Sequence, residues 1–238
     1  MQFGIMAIIK AEKVSKKVVI VGNLNRQKIV NSLLENPVKI SEFAGYTAYT
    51  GKYGNEDITT VFHGIGIPSL TLVTDDLISL GAREIVRFGS ATAVSDSMEP
   101  GTVVLPIGYS YNPGGTFKQY LNSDFSMALT PDFEFLASER EKLNNANIKT
   151  EIGNVFTSDA LFAHTPEFIK KLSETGHIAV ELEGAGLYFI SRLKNVRALS
   201  VHLIYSNAVT GKSMEQNNIN ESENKIAKTI LNLLTGKN

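Results

Sequence analysis

The chain of 238 residues has no cysteine and no tryptophan, only four histidines and only seven prolines. Without cysteine there is no disulfide, no thiolate nucleophile and no Cys-type metal site. Neither sign of charge prevails, with 23 Lys and Arg against 24 Asp and Glu. That removes the broad basic field by which proteins hold nucleic acid or an anionic membrane. An anionic ligand must therefore be captured by a few placed residues. No apolar run approaches the roughly 20 residues of a membrane span. The opening MQFGIMAIIKAEK has neither a basic start nor a small-residue cleavage site. These absences lead us to expect a cytoplasmic protein that touches neither nucleic acid nor membrane. The histidines (His63, His164, His177 and His202) lack ligand spacing, so no metal is expected and each reads as structural.

What is present is an alternation of strand-length apolar runs with helical patterns. KVVIVGN (17–23) reads as a buried strand, followed by apolar residues at helical spacing in RQKIVNSLLEN. DITTVFHG is a strand, and GIPSLTLVTDDLISLGA a helix that starts near Pro68 and stops at Gly81. REIVRFGSA and GTVVLPIGYSYN are strands split by the turn MEPG. A helix over 131–147, the strand KTEIGNVFTSD and the helix TPEFIKKLSETG with Thr165 as N-cap come next. HIAVELEG, RALSVHLIYSN and a final helix over 222–234 complete the pass. The polar stretch SNAVTGKSMEQNNINESEN reads as a loop, long enough to serve as a lid. No linker or repeat divides the chain, so residues 1–238 read as a single α/β domain with a parallel or mixed sheet.

In such sheets ligands bind at the carboxyl ends of strands, and four motifs fall there. In VGNLNR, Gly22 allows close backbone approach and Arg26 offers a forked donor; a plain strand–helix turn with a surface Arg is the alternative. HGIGIPS (63–69) has the look of a dinucleotide fingerprint but lacks the third glycine, leaving a tight turn near a ligand. In RFGSATA, Arg87 is a charge inside an apolar strand and needs an anionic partner, whether ligand or salt bridge, with Ser90 close behind. VELEGAG puts two carboxylates, Glu181 and Glu183, where a strand feeds a helix. A carboxylate suits two vicinal hydroxyls, as in a ribose, and it also suits a helix N-terminus, so Glu183 could cap its own helix.

Taken in order, VGNLNR, HGIGIPS, RFGSATA and VELEGAG resemble the nucleoside phosphorylases of the purine nucleoside and uridine phosphorylase superfamily. GYSYNPGGTFKQYL and GNVFTSDALF are similar to the archaeal purine nucleoside and methylthioadenosine phosphorylases in particular. The resemblance spans nearly the whole chain. It implies a three-layer α/β/α, phosphorylase/hydrolase-like subunit around a twisted mixed sheet, assembled as dimers that build a hexamer. It implies phosphorolysis of a nucleoside to free base and ribose 1-phosphate, with inorganic phosphate as co-substrate and no cofactor. By resemblance Gly22, Arg26, Arg87 and Ser90 hold the phosphate, with Arg87 and Glu183 the catalytic pair. Glu181, Leu182 and Glu183 hold the ribose, and Leu161, Phe162, Tyr205 and Ser206 face the base.

The chain departs from the family pattern at several places. The Ser-Asp pair of purine enzymes, whose Asp protonates the leaving base, aligns with Tyr205 and Ser206, and a serine is no general acid near pH 7. Asn207 matches the uridine enzymes, yet AHTPEF stands where they carry a Gln and an Arg for the pyrimidine, and Ala208 replaces the Arg that follows their Asn. Asn23 takes the place of an acidic residue, and Ala44 that of an Arg lent by a neighbouring subunit. Purine nucleosides or methylthioadenosine are the expected substrates, ahead of uridine. A nucleoside-binding protein without turnover is the reading from another class.

Overall fold

The computed structural model describes residues 7–112 and 115–237. Nine strands form one mixed sheet in the order β2-β3-β4-β1-β5-β8-β7-β6-β9. Its centre is parallel: β1 (Lys17–Val21) lies between β4 (Glu56–Phe62) and β5 (Glu84–Ala93), with Val21 beside both Phe62 and Phe88. These strands are runs of β-branched and apolar residues buried on both faces, as a covered parallel sheet requires. On its other side β5 pairs in parallel along its whole length with β9 (Arg197–Asn207), with a bulge between Ala91 and Thr92, and Thr92 and Ala93 also pair antiparallel with β8 (His177–Glu181). Then β8 pairs with β7 (Thr150–Thr157), β7 with β6 (Val103–Tyr111), and β6 returns to β9. Half of the sheet is thus a closed ring of five strands. The other half is open and ends in the hairpin β2 (Glu35–Phe43) and β3 (Tyr46–Tyr53).

Helices cover both faces. On one side α1 (Leu24–Ser32), α4 (Phe133–Asn145) and α7 (Gln216–Thr235) pack Val30, Leu143 and Ile230 against Val19, Phe88 and Leu199 of the sheet. On the other, α2 (Ile67–Ser79) and α6 (Gly184–Leu193) bury Leu70, Leu77, Leu187 and Phe189 against Val18, Ile20 and Ile85. Two shorter helices, α3 (Gly115–Leu121) and α5 (Pro166–Glu174), lie over the ring. These layers are the three-layer mixed α/β architecture that the sequence leads one to expect.

Local signals hold in detail. Thr165 caps α5 by accepting from the Phe168 amide, with Pro166 in the first turn. Strand β9 occupies the whole of RALSVHLIYSN. Other expectations need correction. The last helix begins at Gln216, six residues before Ser222, so the second half of the polar stretch expected as a lid is helix, its first two residues end β9, and only 208–215 form a loop. The early turns of the helix are polar because they face solvent, which hides the helical period. The hairpin β2–β3 and helix α3 have no counterpart in the sequence reading, since β2 is an exposed edge strand without apolar alternation.

Candidate active site

The carboxyl ends of β1, β4, β5, β8 and β9 open on a single cavity of about 320 Å³. Gly22, Arg26, Arg87, Ser90, Leu161, Glu181, Leu182, Glu183, Tyr205 and Ser206 all line it. Phe162 does not. It sits in the 3-10 turn Leu161–Ala163 with its side chain fully exposed at 102%, which corrects its expected place at a base. Asn23, which takes the place of an acidic residue next to Gly22, lines it as well, and Thr92 and His164 join the lining without having been expected there.

Arg87 is the electrostatic centre. It is buried, forms an ion pair with Glu181 Oε2 at 3.0 Å and donates, more closely, to Glu183 Oε2. Burial works against its charge, but Glu181 and then Glu183 outweigh that and hold it above its ordinary range. Two buried histidines flank it: His63 Nε2 accepts from Arg87 Nε at 3.4 Å, and His202 Nδ1 lies 3.2 Å from Nη1. Burial first, then the Arg87 and Arg26 charges, push both rings well below the usual imidazole range, so both are neutral. A neutral ring can accept from the guanidinium; an imidazolium could not. The structural role expected of these two histidines is therefore to hold Arg87.

The two carboxylates divide their work. Glu181 accepts from the backbone amides of Glu183 (2.9 Å) and Gly184 (2.8 Å) and from the Thr157 hydroxyl, so it caps α6. Burial and then Glu183 push it above the ordinary carboxylate range, against the opposing pull of Arg87. Glu183 stands at the N-cap position of α6 but makes no capping bond with its side chain. Its Oε1 instead accepts from the Gly66 amide at 2.8 Å. Gly66 has φ of +90°, a conformation that glycine adopts readily and that aims this amide from the GIGIPS turn into the cavity. Of the alternatives left open for Glu183, capping thus belongs to Glu181, and Glu183 faces the cavity. Gly184 is required by close packing: a Cβ there would meet the Tyr109 hydroxyl at 2.0 Å.

Arg26 also lines the cavity, yet it is bound within the chain. Its Nε donates to Glu223 of α7 at 2.7 Å, Nη1 to the Phe88 carbonyl at 3.1 Å and Nη2 to the Tyr205 hydroxyl at 2.8 Å. Burial, with Glu223 adding to it and Arg26 opposing, raises Tyr205 to about 12, so the phenol stays neutral. Next to Tyr205 on β9, Ser206 Oγ lies 3.1 Å from Thr92 Oγ1. His164 Nε2 lies 2.8 Å from Ser158 Oγ, its ring stacks on Phe168, and burial lowers its pKa.

The family model of the Phosphorylase superfamily matches residues 16–236. The chain belongs to the phosphorylase superfamily. A DeoD-type purine nucleoside phosphorylase of Buchnera aphidicola subsp. Schizaphis graminum is 31% identical over 216 residues, covering 87% of this chain and 91% of that one. The DeoD-type 2 protein of Vibrio cholerae is 26% identical over 209 residues, 87% of this chain and 88% of the other. The DeoD-type purine nucleoside phosphorylase of Xenorhabdus nematophila is 28% identical over 190 residues, 79% of each chain.

Within this phosphorylase-superfamily chain, the departures noted in the sequence acquire positions. Asn207 does not line the cavity: Nδ2 donates to the Ser95 and Met98 carbonyls, and Oδ1 accepts from the Val209 and Thr210 amides. It ties two loops together. Ala44 lies on the exposed tip of the β2–β3 hairpin with φ of +50°. Glu223 has no signal in the sequence, since its partner lies 197 positions away and its own segment is polar. His164 had one, because AHTPEF occupies a stretch where uridine enzymes contact the base, but a lone histidine there read as structural.

Proposed function

We propose that the protein is a nucleoside phosphorylase that acts on purine nucleosides, methylthioadenosine included. Whole-length similarity to DeoD-type purine nucleoside phosphorylases places purines ahead of uridine. The observation that carries the reading is the junction of Glu183 with Arg87, in a cavity whose other lining includes Gly22, Arg26 and Ser90. In that arrangement Glu183 accepts from the two ribose hydroxyls and Leu182 packs under the sugar. Phosphate lies by Gly22, Ser90 and Arg87. Leu161, Tyr205 and Ser206 face the base.

The chemistry follows from this placement. A phosphate oxygen bonds to C1′ as the C1′–N bond breaks, and the electron pair leaves with the base nitrogen, which takes a proton. Positive charge builds on the sugar in between. Phosphate and the Glu183 carboxylate, fixed beforehand by the Gly66 amide and Arg87, stabilise that charge without reorganising. Burial and the neutral histidines keep Arg87 in place for both. Because Ser206 is no acid near neutral pH, the proton reaches the base from solvent.

Inorganic phosphate is the co-substrate and no other cofactor is required by this scheme. The fully exposed Phe162, beside the half-exposed Leu161, is an apolar rim of the kind a neighbouring subunit covers. A dimer-based homo-oligomer, up to a hexamer, is the assembly we propose, in the cytoplasm where nucleosides and free phosphate meet. Base release from inosine, adenosine, methylthioadenosine and uridine, with and without phosphate, tests the function. Phosphate-dependent release from the purines is expected. Release from uridine alone makes the protein a uridine phosphorylase, and binding without release makes it a binding protein. Sedimentation tests the assembly.

A further inference from the structure

Arg26 is already answered by a carboxylate of its own chain. Glu223 sits on the second turn of α7, 3% exposed, and its Oε1 accepts from Arg26 Nε and from the Tyr205 hydroxyl. The remaining arms of Arg26 go to Phe88 and Tyr205, and the guanidinium lies 4.9 Å from the Phe88 ring centre. Arg87 is likewise engaged by Glu181 and Glu183. Two guanidinium groups therefore face three carboxylates, Glu181, Glu183 and Glu223, with no surplus of positive charge for a phosphate dianion. Such an anion binds well only where one carboxylate gives way.

The three are not equally held. Glu181 is fixed by two backbone amides and a hydroxyl, and Glu183 by the Gly66 amide. Glu223 has no amide among its partners in the described residues; Arg26 and Tyr205 are all it engages. It stands directly after residues 216–222 of α7, which are exposed or half-exposed. A phosphate oxygen can replace it, since both groups offer the same kind of acceptor to the same guanidinium. We propose that Glu223 is an internal competitor for phosphate, occupying Arg26 in the resting cavity and giving way when phosphate enters. It thereby sets the affinity for the co-substrate. The proposal rests on the reading of this cavity as a phosphate site.

The test compares the full chain with E223Q, which keeps the shape and loses the charge. The phosphate KM should fall about ten-fold or more, as for one charge-assisted contact released, with the nucleoside KM unchanged. Inorganic phosphate should also raise the Tm of E223Q more than that of the unmodified chain, against potassium chloride of equal ionic strength. If E223Q melts early for want of a partner for Arg26, phosphate and not chloride should restore it. An unchanged or higher phosphate KM overturns the proposal, because Glu223 would then be positioning Arg26 for phosphate. Equal phosphate shifts in both proteins overturn it too, as does a folding defect that phosphate does not reverse. If the unmodified chain releases base without any need of phosphate, the phosphorolysis reading fails separately. Calorimetric titration of inorganic phosphate then decides: tighter binding to E223Q supports the competitor role, and equal binding overturns it.

Discussion

Two of the places where this molecule buries carboxylates treat them in opposite ways. At the strand ends, Glu181 and Glu183 share a guanidinium, three backbone amides and a hydroxyl. Between α4 and α7, Glu139 is fully buried with a single hydroxyl, that of Thr229, on one oxygen and, among the described residues, nothing on the other. Burial pushes Glu139 up to about 8, with only weak opposition from Thr229 and Lys142, so it is a neutral acid at pH 7. Burial alone therefore does not mark a working carboxylate. The partners do, because they decide whether charge is held ready or abolished.

Removing the guanidinium breaks the contrast most completely. Arg87→Ala leaves Glu181 and Glu183 buried without a countercharge, which costs about 3–5 kcal/mol. We expect a large fall in Tm together with loss of turnover; a variant as stable as the parent would show that the carboxylates are solvated after all. Next, Glu183→Gln keeps the shape and the bond to the Gly66 amide but removes the charge that faces the sugar. Turnover should drop by about 10²-fold, as for one lost electrostatic contact in the transition state, while most of the stability stays. Calorimetry beside steady-state kinetics separates the two effects, and a stability loss with unchanged kinetics would return Glu183 to a structural role.

Glu139→Gln sharpens the other half of the comparison. The folded chain keeps the Glu139 proton up to about pH 8, whereas an unfolded chain loses it near the ordinary 4.5. This group's contribution to stability is fully present below pH 4.5 and is lost as pH rises through 4.5 to 8. Glutamine never ionises, so the variant should gain on the parent across that window, by on the order of a few kcal/mol at pH 9. Denaturant midpoints at pH 5 and pH 9 check it, and parallel midpoints would mean that Glu139 finds a cation. The smallest expected change is Ser206→Asp, which puts a proton donor on the base side of the cavity. General acid catalysis is worth about 10²–10⁴-fold in full. A roughly ten-fold rise in inosine turnover is the outcome to seek in initial-rate assays, since Thr92 at 3.1 Å still holds the position. Slower inosine turnover would place the acid elsewhere.

The sequence reveals the parallel centre of the sheet because its strands are buried on both faces and read as continuous apolar runs. It reveals α5 through Thr165 and Pro166, and β9 from end to end. The edge hairpin is hidden, since β2 is mostly exposed and has no pattern for burial to impose. At the site, Arg87 stands out as a charge in an apolar strand, and VELEG as carboxylates at a strand end. The exchange of roles between Glu181 and Glu183 does not, because two carboxylates two positions apart look alike until backbone amides choose between them. Glu223 and Glu139 stay silent for the same reason. Each lies in an ordinary polar helix, and only packing against a distant element removes its water.

The ring of five strands has a consequence for how the molecule is made. Its closing ladder joins Glu84–Ala93 to Arg197–Asn207, residues about a hundred positions apart. At ribosomal speeds β5 waits about 5–20 s for that partner. Until β9 emerges, one edge of β5 is an open template for pairing with other chains, and Arg87 has neither His202 nor Glu183 beside it for most of that time. Contacts so distant in sequence also slow the search for the native pairing. We expect the yield of active protein to fall when that edge is left unshielded during synthesis, before the catalytic residues have met.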